Sequence, residues 1–430
     1  MEIIFLGRMK LSRSFHDLLY RQKVIFENTF YMSVLQIFLL LYPLVAYPYL
    51  VSVLGRDLYG RFLTAQMLVS YASLIIDFGS NYVCAKHVST NRSDINKLSE
   101  ILSNVLFVRF LLFIVCFIIY SSVIFITPLY KSDWLLFLLT YGLTLNELLF
   151  PQFLFQGLEK MKQITIISVI SKFVFVPLIF VCVRGKEDVV IVPILYLVGF
   201  FVNGTISLYY IRSKFHIPFQ RPKWTKMKFY IKEARSLFAT EMITTIKDKV
   251  NYLLIGSYVN MSDVVIYDLG LKLNGFVSKP YFIISSVLFP RVVKVKSNKW
   301  IISSILINFV VTVLCWLIFN IFLSDISFFF IHEEIDLIPL RLIMFSPVLM
   351  SVSYTIFANG FVALGYNKYV LNSIIITTIA YLVCLAYCFF TNRLDSLFVF
   401  VIIALISYTV ELLYRLVKLK KILQYNVNRN

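Results

Sequence analysis

The sequence predicts an all-α polytopic membrane protein of twelve transmembrane helices arranged as two six-helix bundles. Three observations predict it: composition, the recurrence of apolar runs, and the alternation of positive charge along the chain. Of 430 residues, 59% are hydrophobic and only 15% are charged, whereas soluble domains carry about a quarter charged residues. A bilayer core of about 30 Å needs about 20 apolar residues per crossing, so the chain has room for roughly a dozen helices and none for a large soluble domain. The charge balance, 41 Lys and Arg against 23 Asp and Glu, is +18. In so hydrophobic a chain it belongs beside lipid headgroups rather than on nucleic acid.

Apolar runs of spanning length, separated by charged or Gly/Pro-containing breaks, fall at 29–53, 60–84, 101–126, 134–156, 163–183, 189–211, 236–259, 264–290, 300–323, 337–364, 369–390 and 397–417. Ahead of them, residues 1–27 carry Arg8, Lys10, Arg13, Arg21 and Lys23, with no small-residue cleavage site. They read as a basic cytoplasmic segment rather than a signal peptide. With the N-terminus inside, 28 Lys and Arg fall on inner segments and six on outer loops (Arg56, Arg61, Lys131, Arg184, Lys186 and Arg393). That imbalance puts both termini in the cytoplasm.

The longest connection, 212–235, is strongly basic and contains Pro218 and Pro222. It divides a first bundle, 28–211, from a second, 236–419, and residues 420–430 form a cytoplasmic tail. An internal repeat supports the division. Phe153, Gly157 and Lys160 at the end of the fourth span recur as Phe361, Gly365 and Lys368 at the end of the tenth, 208 residues later, and Tyr59 and Tyr267 are also 208 apart. Each half has an even number of spans, so the repeats are parallel and related by an axis along the membrane normal.

The seven remaining cations lie inside the spans: Arg109, Lys172, Lys247, Lys249, Lys272, Lys279 and Arg341. A charge at mid-bilayer costs about 3 kcal/mol on insertion scales, so such groups face protein or water and mark a pathway or a structural pair. In the eighth span Asp268, Lys272, Gly275 and Lys279 share one helical face, although Asp268 and Lys272 at i and i+4 neutralise each other in the simplest account. The seventh span presents Thr240, Glu241, Thr244, Lys247, Asp248, Lys249 and Asn251. That polar width needs a water-filled cavity or an interhelical salt-bridge cluster. In the second span Gln66, Ser70, Ser73, Asp77 and Asn81 form another polar stripe; the fourth adds Glu147, and the fifth adds Thr165, Ser168 and Lys172.

Cations outnumber the acids of the spans, so the cavity is expected to be positive or neutral and to suit an anion such as a phosphate or diphosphate. Lys247, Lys249, Lys272, Lys279, Arg109, Lys172 and Arg341 are therefore the candidate substrate-binding residues, and Asp77, Glu147, Asp248 and Asp268 the candidate proton or ion carriers. No catalytic residue, cofactor or metal is expected. The sequence holds no Walker A, HExxH or Cys-x-x-Cys pattern, His332 with Glu333 and Glu334 reads as a solvated acidic loop, and the outer loops are too short for a catalytic platform. Cys84, Cys116, Cys182, Cys315, Cys384 and Cys388 lie in or at the ends of apolar runs and imply no disulfide framework. Cys384 and Cys388, one turn apart, read as packed thiols.

The stretch from Pro48 to Gly60, followed by Ile76-Asp77-Phe78-Gly79, resembles the opening of Wzx-type polysaccharide flippases, which share a superfamily (MOP) with MATE exporters. Phe155-Gln156-Gly157-Leu158-Glu159-Lys160-Met161 is similar to that family's fourth-helix ending; Lys86-His87 departs from an Arg expected after the second helix. The resemblance implies a MATE-like fold of two bundles around a central cavity. It implies a flippase for undecaprenyl-diphosphate-linked oligosaccharide, an O-antigen or similar repeat unit, in the bacterial inner membrane, working by alternating access. It also implies membrane lipids, a polysaccharide polymerase and a chain-length regulator as partners. The residues leave open two other readings, a multidrug or small-metabolite antiporter on the same fold and a non-transporting scaffold of polysaccharide assembly.

Overall fold

The computed structural model describes residues 2–295 and 297–427, with side chains described from 27 to 424 apart from positions 244, 247, 248, 296 and 367. All regular structure among them is helical. The chain forms two compact units. The first comprises residues up to 54 together with 65–248, and the second comprises 55–64 together with 249–430.

The first unit opens with α1 (Glu2–Asp77), two helices meeting at a kink where Gly55 takes φ 77°, followed by α2 (Ser80–Thr90), α3 (Ile95–Ile126) and the single turn α4 (Pro128–Lys131). The fourth predicted span is built from α5 (Trp134–Tyr141), a 3₁₀ turn at Gly142–Thr144, α6 (Leu145–Leu149) and α7 (Gln152–Gly157). After it come α8 (Met161–Cys182) and α9 (Ile191–Ser213). The apolar face of α3, with Leu98, Ile101, Leu102 and Val105, packs on Phe153, Leu154 and Phe155 of α7 and on Cys84 and Val88 of α2. Contact between α2 and α7 is close because Gly157 has no side chain: a Cβ there would lie 2.5 Å from Val88 and 2.7 Å from the Ala85 carbonyl oxygen.

Residues 214–223 are irregular, and α10 (Trp224–Tyr258) then runs unbroken across the boundary between the units. The basic connection is therefore shorter than 212–235. Its second half is helical because the run from Trp224 to Arg235 holds good helix formers and no Pro or Gly. In the second unit follow α11 (Met261–Val295), α12 (Asn298–Ile321), α13 (Leu323–Ile331), α14 (Leu337–Thr355) with a π-helical continuation at Ile356–Val362, α15 (Asn367–Phe390) and α16 (Leu397–Val427). Its core joins Val292, Ile301, Ile356, Phe361, Leu419 and Ile422. The segment 55–64 is anchored here by Gly60, whose absent Cβ would otherwise sit 1.8 Å from the Met261 carbonyl oxygen, and by Arg56, paired with Glu333 at 2.8 Å.

Among the described residues ten helices are long and apolar enough to cross a membrane. The chain is a multi-pass membrane protein. One of the ten, Glu27–Thr90, holds both the first and second predicted spans, and the seventh predicted span falls on α10, which is outside the ten. The polar residues Thr240, Glu241, Asp248 and Asn251 that singled it out as a cavity wall also lower its hydropathy.

Two predicted spans are discontinuous. The second is interrupted by Phe78 and Gly79, at φ 42° and 73°. The fourth breaks at Phe150–Pro151, because proline has no N–H to offer the carbonyl of Glu147 four residues earlier. The tenth span, its counterpart, widens at the corresponding place into the π segment. Both spans then close alike: Lys160 N–H donates to Phe155 O and Tyr366 N–H to Phe361 O, each at 2.8 Å. Positive φ sits at Glu159 and Gly365. The caps are thus 206 residues apart, two residues off the register in which Gly157 and Gly365 match as sequence.

Candidate functional site

The two breaks of the first unit meet at one side chain. Arg109, on α3, is fully buried at 0% exposure. Its Nη2 donates to the Asp77 carboxylate, to Ser80 Oγ at 2.7 Å and to Asn81 Oδ1 at 3.1 Å, and its Nε donates to Ser80 Oγ at 3.1 Å. Asp77, Ser80 and Asn81 flank the Phe78–Gly79 interruption. On the other side Arg109 Nη1 donates to the Glu147 carbonyl oxygen at 2.6 Å, the acceptor that Pro151 leaves without its helical partner. One guanidinium therefore satisfies the polar groups released by both discontinuities, which is how broken backbone is tolerated at membrane depth. The ring of Phe153 lies 5.4 Å from its Cζ.

The second unit builds the same junction without charge. Asn308 of α12 donates through Nδ2 to Ser285 Oγ of α11 at 2.8 Å and to Thr355 Oγ1 of α14 at 2.7 Å. Ser285 and Thr355 stand 208 residues after Asp77 and Glu147, and α12 is the third spanning helix of its half as α3 is of the first. The repeat thus carries a polar junction of its second, third and fourth helices in both halves, ionised in one and neutral in the other. Asn308 Oδ1 is buried with no hydrogen-bond partner, as are both amide atoms of Asn359 one turn beyond Thr355.

The other predicted cations divide into distinct environments. Lys172 points its ammonium among aromatic rings, 5.2 Å from the centroid of Tyr42, 5.6 Å from Tyr196 and 4.9 Å from Phe200. Lys272 pairs with Asp268 one turn before it, and the other Asp268 oxygen accepts from Tyr252 Oη at 2.9 Å. Lys279 and Arg341 are exposed and make no hydrogen bond or ion pair with the described residues. Their helices run side by side, with Asn274 Nδ2 donating to Ser346 Oγ at 2.6 Å and to Ile343 O at 3.1 Å. Lys249 is partly exposed. The side chains of Lys247 and Asp248 lie outside the described residues. Glu147 is joined to the Arg109 junction through its backbone, and its carboxyl group has the neighbouring Asn146 side chain as a hydrogen-bond partner.

Sequence reasoning missed a buried ion-paired cluster of the second unit. Arg415, at the end of the twelfth predicted span and not among the seven membrane cations singled out there, is 5% exposed. It pairs with Glu411 at 2.7 Å and donates to Ser353 Oγ at 2.9 Å and Ser373 Oγ at 3.0 Å, while Glu411 accepts from Thr377 Oγ1 at 2.8 Å. The signal present was the i, i+4 spacing of Glu411 and Arg415 near the end of the last apolar run; what hid it was that α16 continues to Val427, past that run, so that Arg415 reads with the basic residues that follow it. A second missed cluster joins Asn251 to Tyr267 Oη at 3.0 Å and to Tyr381. In the first unit His87 Nε2 meets Glu233 at 2.5 Å, between the edges of Phe229 and Tyr230. Among the described residues no group of three His, Cys, Asp or Glu is placed to hold a metal ion.

Two units of spanning helices, discontinuous at matching places, with a charged junction at the breaks of the first and a neutral one in the second, make a fold that solved membrane transporters share. The fold matches that of a multidrug-resistance MATE family transporter in its inward-facing conformation, with TM-score 0.68 and 15% identity over 90% of this chain and 95% of that one. It also matches the lipid II flippase MurJ in an inward closed conformation, with TM-score 0.71 and 13% identity over 90% and 87%. Residues 25–296 match the family described as "Polysaccharide biosynthesis protein", and the chain belongs to that family. Two relatives bear the name "Putative O-antigen transporter". The one from Escherichia coli K12 is 29% identical over 182 residues, and the one from Shigella dysenteriae is 26% identical over 265. These matches cover 42% and 60% of this chain, and 44% and 65% of the relatives' lengths.

Proposed function

We propose that this protein carries an undecaprenyl-diphosphate-linked oligosaccharide, an O-antigen or similar repeat unit, across the bacterial inner membrane by alternating access. The observation that carries the reading is the pair of exposed cations, Lys279 and Arg341, on adjacent helices of the second unit, neither of which has a partner among the described residues. A cation held at membrane depth without a protein partner is costly unless water or an anion meets it, and a diphosphate is the anion that the family membership favours. Lys247, Lys249 and Lys272 are further candidate substrate-binding cations, and within the first unit Lys172 with its ring of aromatic side chains offers faces on which a sugar can stack. Arg109 serves differently, holding Asp77 and the broken fourth span in place. The lipid tail remains in the bilayer, and both termini are cytoplasmic.

With no nucleotide-binding motif in the chain, the driving force is an ion or proton gradient, with Asp77, Glu147, Asp248 and Asp268 as the carriers. The product would pass to a polysaccharide polymerase and a chain-length regulator. The test is deletion of the gene in its host, measuring surface polysaccharide together with the inner-leaflet pool of lipid-linked repeat unit, followed by complementation with Lys279→Glu and Arg341→Glu. Loss of polymer with accumulation of complete units, rescued by the wild-type chain and by neither variant, is expected. Unchanged polymer on deletion would reject the reading in favour of drug export, and full rescue by both variants would reject the cationic pathway.

A further inference from the structure

Near the turn that joins α15 to α16, residues of the two helices line a cavity of about 450 Å³. Cys384, Tyr387 and Cys388 line it from α15, and Phe398 and Ile402 from α16. Its walls are apolar apart from Arg393, which sits in the turn and is the one ionisable side chain along the lining besides the thiols and the tyrosine. The backbone fixes that residue: Asn392 takes a left-handed φ of 52°, and Arg393 N–H closes the helix end on the Cys388 carbonyl at 2.9 Å. The Arg393 side chain is exposed and makes no ion pair or hydrogen bond with the described residues.

A greasy slot ending in one unpaired guanidinium selects its occupant by size and charge. A helix of this or another chain, about 10 Å across with its side chains, is too wide for a gap between two adjoining helices. An extended hydrocarbon chain fits. At the end of such a chain the guanidinium needs an anion, and a phosphate is the anion that a lipid presents at the bilayer surface. Tyr387, 62% exposed beside the slot, has the amphipathic form that settles at that same depth.

We propose that the α15–α16 slot is a binding site for an anionic phospholipid, with one acyl chain between the helices and the headgroup phosphate on Arg393. The site lies within the second unit and is independent of the transported substrate. By the charge distribution of the loops it opens to the outer leaflet.

Cys384 and Cys388 supply built-in probes. In a full-length protein carrying Cys182→Ser and Cys315→Ser, the remaining thiols outside the slot, Cys84 and Cys116, are buried. Maleimide labelling then reports the slot. In detergent micelles doped with phosphatidylglycerol, labelling is expected to slow about fivefold relative to phosphatidylcholine, the difference one surface cation makes to acidic lipid. That advantage should vanish in Arg393→Gln and survive in Arg393→Lys, while Ile402→Trp, which fills the slot, should abolish protection by either lipid. Native mass spectrometry should show one phosphatidylglycerol retained by the wild type and none by Ile402→Trp. Equal protection by both lipids, or a phosphatidylglycerol advantage that persists in Arg393→Gln, would overturn the proposal. So would protection by a polyprenyl phosphate but not by phosphatidylglycerol, which would assign the slot to the carrier lipid's tail.

Discussion

Arg109→Met should be among the most damaging single substitutions in the first unit. The guanidinium is fully buried and bridges the Asp77 carboxylate, Ser80, Asn81 and the Glu147 carbonyl. Removing it leaves Asp77, whose side chain is 14% exposed, as an uncompensated charge, a loss of about 3–5 kcal/mol for a broken buried pair. The Glu147 carbonyl loses its donor at the same time, and Pro151 cannot replace it. For a bundle of this size each kcal/mol moves the midpoint by about 2–4 °C, so the purified protein should melt about 10 °C lower. The double variant Asp77→Leu with Arg109→Met removes both charges and should recover most of that loss, leaving about 1–3 kcal/mol for the unsatisfied carbonyl. Melting followed by intrinsic fluorescence in detergent measures all three proteins. A single variant within 2 °C of wild type, or a double variant no more stable than the single, would refute the structural role of Arg109. Lost polysaccharide export at unchanged stability would instead return Arg109 to the substrate path.

Gly157→Ala places a methyl 2.5 Å from Val88 and 2.7 Å from a backbone oxygen, and overpacking of that kind should cost about 1–3 kcal/mol, whereas Gly275→Ala, with nothing within 4 Å, should leave the melting point unchanged or raised. Glu411→Gln keeps an acceptor for Thr377 but leaves Arg415 without its counter-charge, and should lower the melting midpoint of the second unit by about as much as Arg109→Met lowers that of the first. Tyr381→Phe removes the donor to Asn251 and should cost about 1 kcal/mol in the same assay.

Much of this architecture is legible in the sequence because membrane insertion imposes rules that act locally. Apolar run length marks most spans. The departures have equally local causes. The first two spans share the helix α1 because Gly55 kinks the chain rather than ending it. The start of α10 extends into the basic connection because nothing between Trp224 and Arg235 stops a helix. Arg415 escapes notice in the sequence because a cation near the end of a span resembles the basic residues that follow it, and its partners Ser353 and Ser373 come from two other helices. Register was harder to see than repetition. Phe-Gly-Lys matches at offset 208, yet the left-handed cap falls on Glu159 in one half and Gly365 in the other, since the π segment of the tenth span takes up residues that the fourth span places at its proline break.

The division of charge between the halves has a mechanistic consequence. A neutral junction such as Ser285–Asn308–Thr355 has no proton to gain or lose near neutrality, because Asn, Ser and Thr do not titrate there. The equivalent Asp77–Arg109–Glu147 junction holds a carboxylate and a second carboxyl group on either side of two broken helices, so a change in its protonation alters which backbone groups the guanidinium can hold. If transport is coupled to protons through this repeat, the first unit is the half able to feel them and the second the half whose cations, Lys279 and Arg341, stand open to an anion. Moving the charge tests that asymmetry. Transport by a protein with the neutral set in the first half, Asp77→Ser, Arg109→Asn and Glu147→Thr, should no longer respond to a proton gradient across vesicles if it is folded at all, as judged by its melting transition. An undiminished response in the folded variant would place coupling elsewhere, with Asp268 and its Tyr252 hydrogen bond the next group to remove.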